Sequence, residues 1–106
     1  MLAIPISHGA SQVNTLASGT AFVELTSAQC NEILIINDTG VAIDIMPFGA
    51  TANTGNPTTG FITIPANFGT PVVLPVCQNA QEYAVRRNDK SATPVTVKFN
   101  WVRWVK

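Results

Sequence analysis

Short β-rich runs recur along this chain about every ten residues, separated by clusters of Gly, Pro, Asn and Thr, and no segment carries a helical period. Few folds accommodate that rhythm. Ala21 to Thr26 alternates, with Val23 and Leu25 on one face and Glu24 and Thr26 on the other. Glu32 to Ile36 is an apolar run of the kind expected in a strand buried on both faces or in the middle of a sandwich. It runs into Asn37-Asp38-Thr39-Gly40, a turn sequence whose terminal Gly accepts a positive φ. Val41 to Met46 follows, with Val41, Ile43 and Ile45 on one face and Asp44 on the other, so residues 32–46 are predicted to form a hairpin. Further strands are expected at Phe61–Ile64, Val72–Val76 and Glu82–Arg87. Val72–Val76 lies among Pro71 and Pro75, and proline cannot donate to a ladder, so it is predicted at a sheet edge. The longest run, Thr93 to Val105, sets Val95, Val97, Phe99 and Trp101 against Thr96, Lys98 and Asn100. Past Trp101 the alternation fails, because Val102 and Trp104 put apolar groups on the polar face.

With an N-terminal segment at Leu2–Ile6, the count is seven or eight short antiparallel strands. The expected architecture is an all-β, jelly-roll-like β-sandwich, with a closed barrel as the weaker alternative. A chain of 106 residues is one domain's worth, and two domains would leave neither half a sufficient core. Residues 1–19 are less regular and are expected to form an N-terminal segment or an arm reaching outside the sandwich, with the sandwich over 20–106; removing an arm should then leave the remainder folded. Residues 47–60 are uncharged with one large apolar side chain, Phe48, and loops that long are usually functional or ordered by a partner. The start of the chain lacks the basic and long apolar stretches of a secretory signal, and no apolar run is long enough to cross a bilayer. The expectation is a complete soluble chain made in a cytoplasm, without membrane contact.

Charge is scarce. Only 11% of residues are charged, against about 25% in an average soluble domain, and the net charge is zero. Either neutral polar groups keep the surface wet, or other subunits cover much of it, since interface cores are depleted in charge. The charges are also segregated: residues 1–85 hold five acids and no base, and residues 86–106 hold all six bases and one acid. Six bases on a neutral chain are too few for a nucleic-acid surface, so contacts between the acidic end of one subunit and the basic end of another fit better.

Nothing in the sequence resembles an active site. Nucleophilic catalysis needs a nucleophile beside an aligned base, and His8 is the only histidine. Glu24 and Asp44 fall on polar strand faces and are expected to be solvated. Cys30 and Cys77 belong to no metal-ligand spacing and are expected to be buried thiols, although a bridge between neighbouring strands stays open. Neither a cofactor nor a metal is expected. The live competitor is a carbohydrate-binding sandwich, for which Trp101, Trp104, Tyr83, Phe48 and Phe61 are the available stacking platforms, although Trp101 falls on the core-facing register.

The stretch Cys30-Asn31-Glu32-Ile33-Leu34-Ile35-Ile36-Asn37-Asp38-Thr39-Gly40, the strand closed by Pro65, and the segments Ala84-Val85-Arg86-Arg87-Asn88-Asp89 and Val95-Thr96-Val97-Lys98-Phe99 follow in order. Together they resemble small virion structural proteins of tailed bacteriophages over the region Cys30–Trp104. The resemblance implies a capsid decoration (cement) protein on the virion surface, with the major capsid protein and further copies of itself, as a homotrimer or other homo-oligomer, for partners. Tail and fibre-joining proteins share the same look. The residues expected at the contacts are Leu2, Ile4 and Ile6 of the arm, Phe48, Asn53 and Asn56 of the uncharged loop, and Arg86, Arg103 and Trp104 of the basic end.

Overall fold

The computed structural model describes residues 4–47 and 60–105. Eight strands follow one another: β1 (Ile4–Asn14), β2 (Val23–Glu24), β3 (Glu32–Ile35), β4 (Ile43–Pro47), β5 (Ile62–Ile64), β6 (Val72–Pro75), β7 (Tyr83–Arg87) and β8 (Thr96–Val105). Among the described residues one 3-10 turn, Ala80–Glu82, leads into β7. The strands build two four-stranded antiparallel sheets, ordered β1-β8-β3-β6 and β2-β7-β4-β5. Pairs β4–β5, β3–β6, β2–β7 and β1–β8 nest within one another and alternate between the sheets. The chain is thus a ribbon folded at its middle and rolled up, with β8–β3 and β7–β4 closing the roll. This is a jelly roll, the architecture expected from the strand rhythm.

The two sheets bury one core. Ile33, Ile35, Leu74, Val97 and Phe99 meet Leu25, Ile43, Ile45, Ile64 and Val85 across the sandwich. Their period-two spacing within each strand directs alternate side chains inward, and each such side chain contributes about 1.5–3 kcal/mol by leaving water. Val95 and Trp101 pack against this cluster as expected, and β6 takes the predicted edge position.

Three expectations change. The predicted hairpin over residues 32–46 does not form, because β3 and β4 belong to different sheets. The intervening turn has the expected glycine, with Gly40 at φ 85°, but it is a corner between sheets. Buried Asn37 makes the corner: its Nδ2 donates to the carbonyls of Val41 (2.8 Å), Ile64 (3.2 Å) and Pro65 (3.0 Å). Its Oδ1 accepts from the backbone N–H (3.1 Å) and hydroxyl (2.7 Å) of Thr39. A side chain thereby supplies the bonds that a hairpin ladder would have made, and the chain is free to cross the sandwich.

Secondly, residues 4–14 are not an arm outside the sandwich. They form β1, paired with β8 from Ile4 opposite Val105 to Asn14 opposite Thr96, with one irregularity between Pro5 and Ser7. Polar residues at alternate positions disguised this strand in the sequence. Gly9 within it is a packing requirement, since a Cβ there would stand 2.7 Å from Cζ2 of Trp101. Thirdly, of the two readings of the 32–36 run, burial on both faces gives way to an inner strand of the sandwich, with β3 between β8 and β6: Ile33 and Ile35 lie in the core, Leu34 is half-buried and Ile36 is exposed.

Candidate interaction surface

The two outer faces of the sandwich differ in kind. On the β2-β7-β4-β5 sheet, Asp44 and Arg86 sit opposite each other in the β4–β7 register and are both buried, at 0% and 1% exposure. Arg86 Nε donates to Asp44 Oδ2 at 3.0 Å, and Arg86 Nη1 donates to the carbonyl of Thr20 at 3.0 Å. Asp44 Oδ1 accepts from Thr63 Oγ1 (2.8 Å) and Asn88 Nδ2 (2.9 Å). The guanidinium lies 4.5 Å from the ring centroid of Phe22 and 4.8 Å from that of Phe61. Phe22, Met46 and Ala84 form a second small core there, with Phe61 against it. This face is closed by the chain itself. The expectations of a solvated Asp44 and an interfacial Arg86 are both corrected: an ion pair can be buried because each partner is bonded several times over. Phe61 is likewise spent as a stacking platform, and Tyr83 donates its hydroxyl to the Pro75 carbonyl at 2.7 Å.

The charge segregation is met in part within the chain. Arg86 pairs with Asp44, Arg87 with Asp89 at 2.7 Å, and Lys98 with Asp38 at 3.9 Å. Of the six bases, Arg86 and Lys98 thus meet acids of residues 1–85 in the same molecule, and Arg87 meets an acid of its own segment. Glu82 is held internally too, accepting from the backbone N–H groups of Cys77 (2.8 Å), Gln78 (2.7 Å) and Asn79 (2.9 Å). Partial burial acts to raise its pKa, but the N–H groups of Asn79, Cys77 and Gln78 outweigh it and hold the carboxyl below its ordinary value.

On the β1-β8-β3-β6 sheet the outer face is open. The strand registers set three rows of side chains across it. One contains His8, Val102, Glu32 and Pro75; the next contains Ala10, Asn100, Leu34 and Val73; Gln12 and Lys98 begin the third. A shallow groove of about 380 Å³ runs here, with Leu34, Ile36, Pro71 and Val102 as apolar lining and His8, Asp38, Lys98 and Asn100 as polar lining. Ile36 and Val73 are 49% and 53% exposed, an unusual position for β-branched apolar side chains at neighbouring strands. The sequence carried this signal in the apolar residues of 32–36, where a second buried face was one of the two expectations.

The residues expected at the contacts are scattered. Arg103 is exposed and Trp104 half-buried, its backbone N–H donating to Asn31 Oδ1 at 2.8 Å. Ile4 and Ile6 lie on β1, with side chains outside the description, and Leu2, Phe48, Asn53 and Asn56 fall outside the described residues altogether. Cys30 is buried and Cys77 exposed, both as free thiols, which corrects the expectation that both are buried. Burial pushes the Cys30 thiol up, so it is the less reactive form of a cysteine. Among the described residues no group of three His, Cys, Asp or Glu side chains is placed to hold a metal ion. Comparison with protein-family models, curated proteins and solved structures finds no match to this chain.

Proposed function

We propose that this chain is a non-enzymatic virion structural protein of a tailed bacteriophage, a capsid decoration protein that works by contact with the shell. The observation that carries the reading is the open outer face of the β1-β8-β3-β6 sheet, where Leu34, Ile36, Val73 and Val102 are left partly to solvent. The chain closes its other face with its own side chains and leaves on this one an apolar strip bordered by Glu32, Asp38 and Lys98. Such a surface docks against protein without the desolvation of many ionic groups. Jelly rolls recur in viral shells, which is an analogy of architecture and adds support only at that level.

Immunogold labelling of virions with an antibody against this chain tests the reading directly, with label expected over heads. Label confined to tails would transfer the protein to the tail or fibre-joining role. Purified chain should also cosediment with heads stripped of it, and Ile36→Asp with Val73→Asp should weaken that binding at least tenfold without lowering the melting temperature. Absence of label from every particle would overturn the proposal.

A carbohydrate-binding role is the second reading, favoured by one observation. The groove brings His8 and Asn100 beside Trp101, a mixture of polar and aromatic groups suited to a sugar ring. Glycan-array binding that is lost in Asn100→Ala, with folding intact, would favour this reading over the first.

A further inference from the structure

Among the described residues four strands lie at sheet edges: β1 and β6 in one sheet, β2 and β5 in the other. Three of them are short. β6 has four residues and carries Pro75, β2 has two residues and β5 has three. β1 has eleven, and from Ile6 to Asn14 it contains no proline and no Asp, Glu, Lys or Arg. Natural edges are guarded by charge, proline, a bulge or brevity, and beyond its irregularity at Pro5/Ser7 this one has none of these.

The ladder tells which peptide groups are open. Thr15 N–H donates to the Val95 carbonyl at 2.9 Å, and Val13, Ser11 and Gly9 continue opposite Val97, Phe99 and Trp101. The period of two turns the N–H and C=O groups of these residues toward β8 and those of His8, Ala10, Gln12 and Asn14 toward the open side. The Gln12 carbonyl accepts from Thr26 Oγ1 at 2.6 Å on that side, as this assignment requires. His8 and Ala10 remain as the open pair.

We infer that β1 is a self-pairing edge, joining two copies of this chain antiparallel about a two-fold axis beside Gly9. His8 of each copy stands opposite Ala10 of the other, and the N–H and C=O groups of both residues pair across the axis. The partner is a second copy because the open groups of His8 and Ala10 lie symmetrically about Gly9, so the same stretch run antiparallel offers each donor an acceptor and each acceptor a donor. An edge that pairs with itself gives a closed dimer. The uncharged sequence also places no like charges opposite each other. The product is one continuous eight-stranded sheet, β6-β3-β8-β1-β1-β8-β3-β6. A two-fold axis perpendicular to a sheet leaves both outer faces on the same side, so the two grooves would open together. Two linked surfaces bind a repetitive target more tightly than one.

Analytical ultracentrifugation of the full chain at micromolar concentrations tests this. The wild type is expected to sediment as two chains of 11.3 kDa each. Ala10→Pro removes an N–H that points away from β8 and should yield a single folded chain. Ala10→Lys, which keeps the backbone donor and places charge at the axis, should do the same and decides the matter if the proline variant does not fold. A wild type that sediments as one chain up to about 100 µM, a scale set by the weakness of an unpaired edge, would overturn the pairing. So would an oligomer that persists in both variants. The pairing does not rest on the virion reading: a dimer that labels no particle leaves the edge intact and removes only the proposed function.

Discussion

Asp44 and Arg86 show how far a polar residue's position in a strand can mislead. Both alternate with core residues, and in most sandwiches that register faces water. Here the register faces Phe22 and Phe61, and the pair is stable only as a pair. Asp44→Ala is expected to destabilise the protein by about 3–5 kcal/mol, measured by urea unfolding, because it strands a buried guanidinium. The double substitution Asp44→Ala with Arg86→Ala should cost much less than the sum of the two single changes. Glu82 gives a second expectation, with its sign fixed by linkage. Its folded pKa lies below the ordinary value of 4.5, so its contribution is fully present above that pH. The contribution is lost as pH falls through the lower, folded value. Glu82→Gln should therefore destabilise at pH 7 by about 1–2 kcal/mol and lose less stability than the wild type on acidification below pH 4.5.

At the scale of elements, strand identity was largely legible and strand partnership was not. The alternation Val95-Val97-Phe99-Trp101 marked the inward face of β8, and Pro71 and Pro75 marked an edge. No local pattern distinguished a hairpin from a corner at Asn37, because both use the same turn chemistry. What separates them is whether the side chain finds acceptors, and those acceptors, Ile64 and Pro65, lie 27 and 28 residues away. Asn37→Asp keeps the acceptor toward Thr39 but sets a carboxylate against three carbonyl oxygens. It should destabilise by about 2–3 kcal/mol or more, and at least as much as Asn37→Ala, in thermal or urea unfolding. β1 supplies a further test. Gly9→Ala pushes a methyl group into the Trp101 indole and should shift tryptophan emission while destabilising by about 1–3 kcal/mol.

For the whole molecule, the nested pairing makes the two ends of the chain interdependent. β1 comes first and β8 last, yet they pair along ten residues. Deletion of residues 1–14 should therefore leave a chain without a cooperative unfolding transition, where an arm outside the sandwich would have been dispensable. Circular dichroism melts of the truncated and full-length chains distinguish the two outcomes. Contacts between distant segments dominate such a roll, so refolding after dilution from urea is expected on the slow, millisecond-to-second scale of β-sandwiches.

The sequence alone determined the all-β class, the positions of most strands, the edge placement of β6 and the inward face of β8. These follow from local periodicity, proline chemistry and turn residues, which act over a few neighbours. It also pointed, through the low charge, toward a protein that meets other proteins. Only the tertiary structure decided which face is open. The apolar residues at 34 and 36 look alike whether a second layer covers them or not, and the buried Arg86 looks like any surface base until Phe22 and Phe61 are brought to it from 64 and 25 residues away. Burial belongs to the arrangement of the sheets, and no single strand contains it.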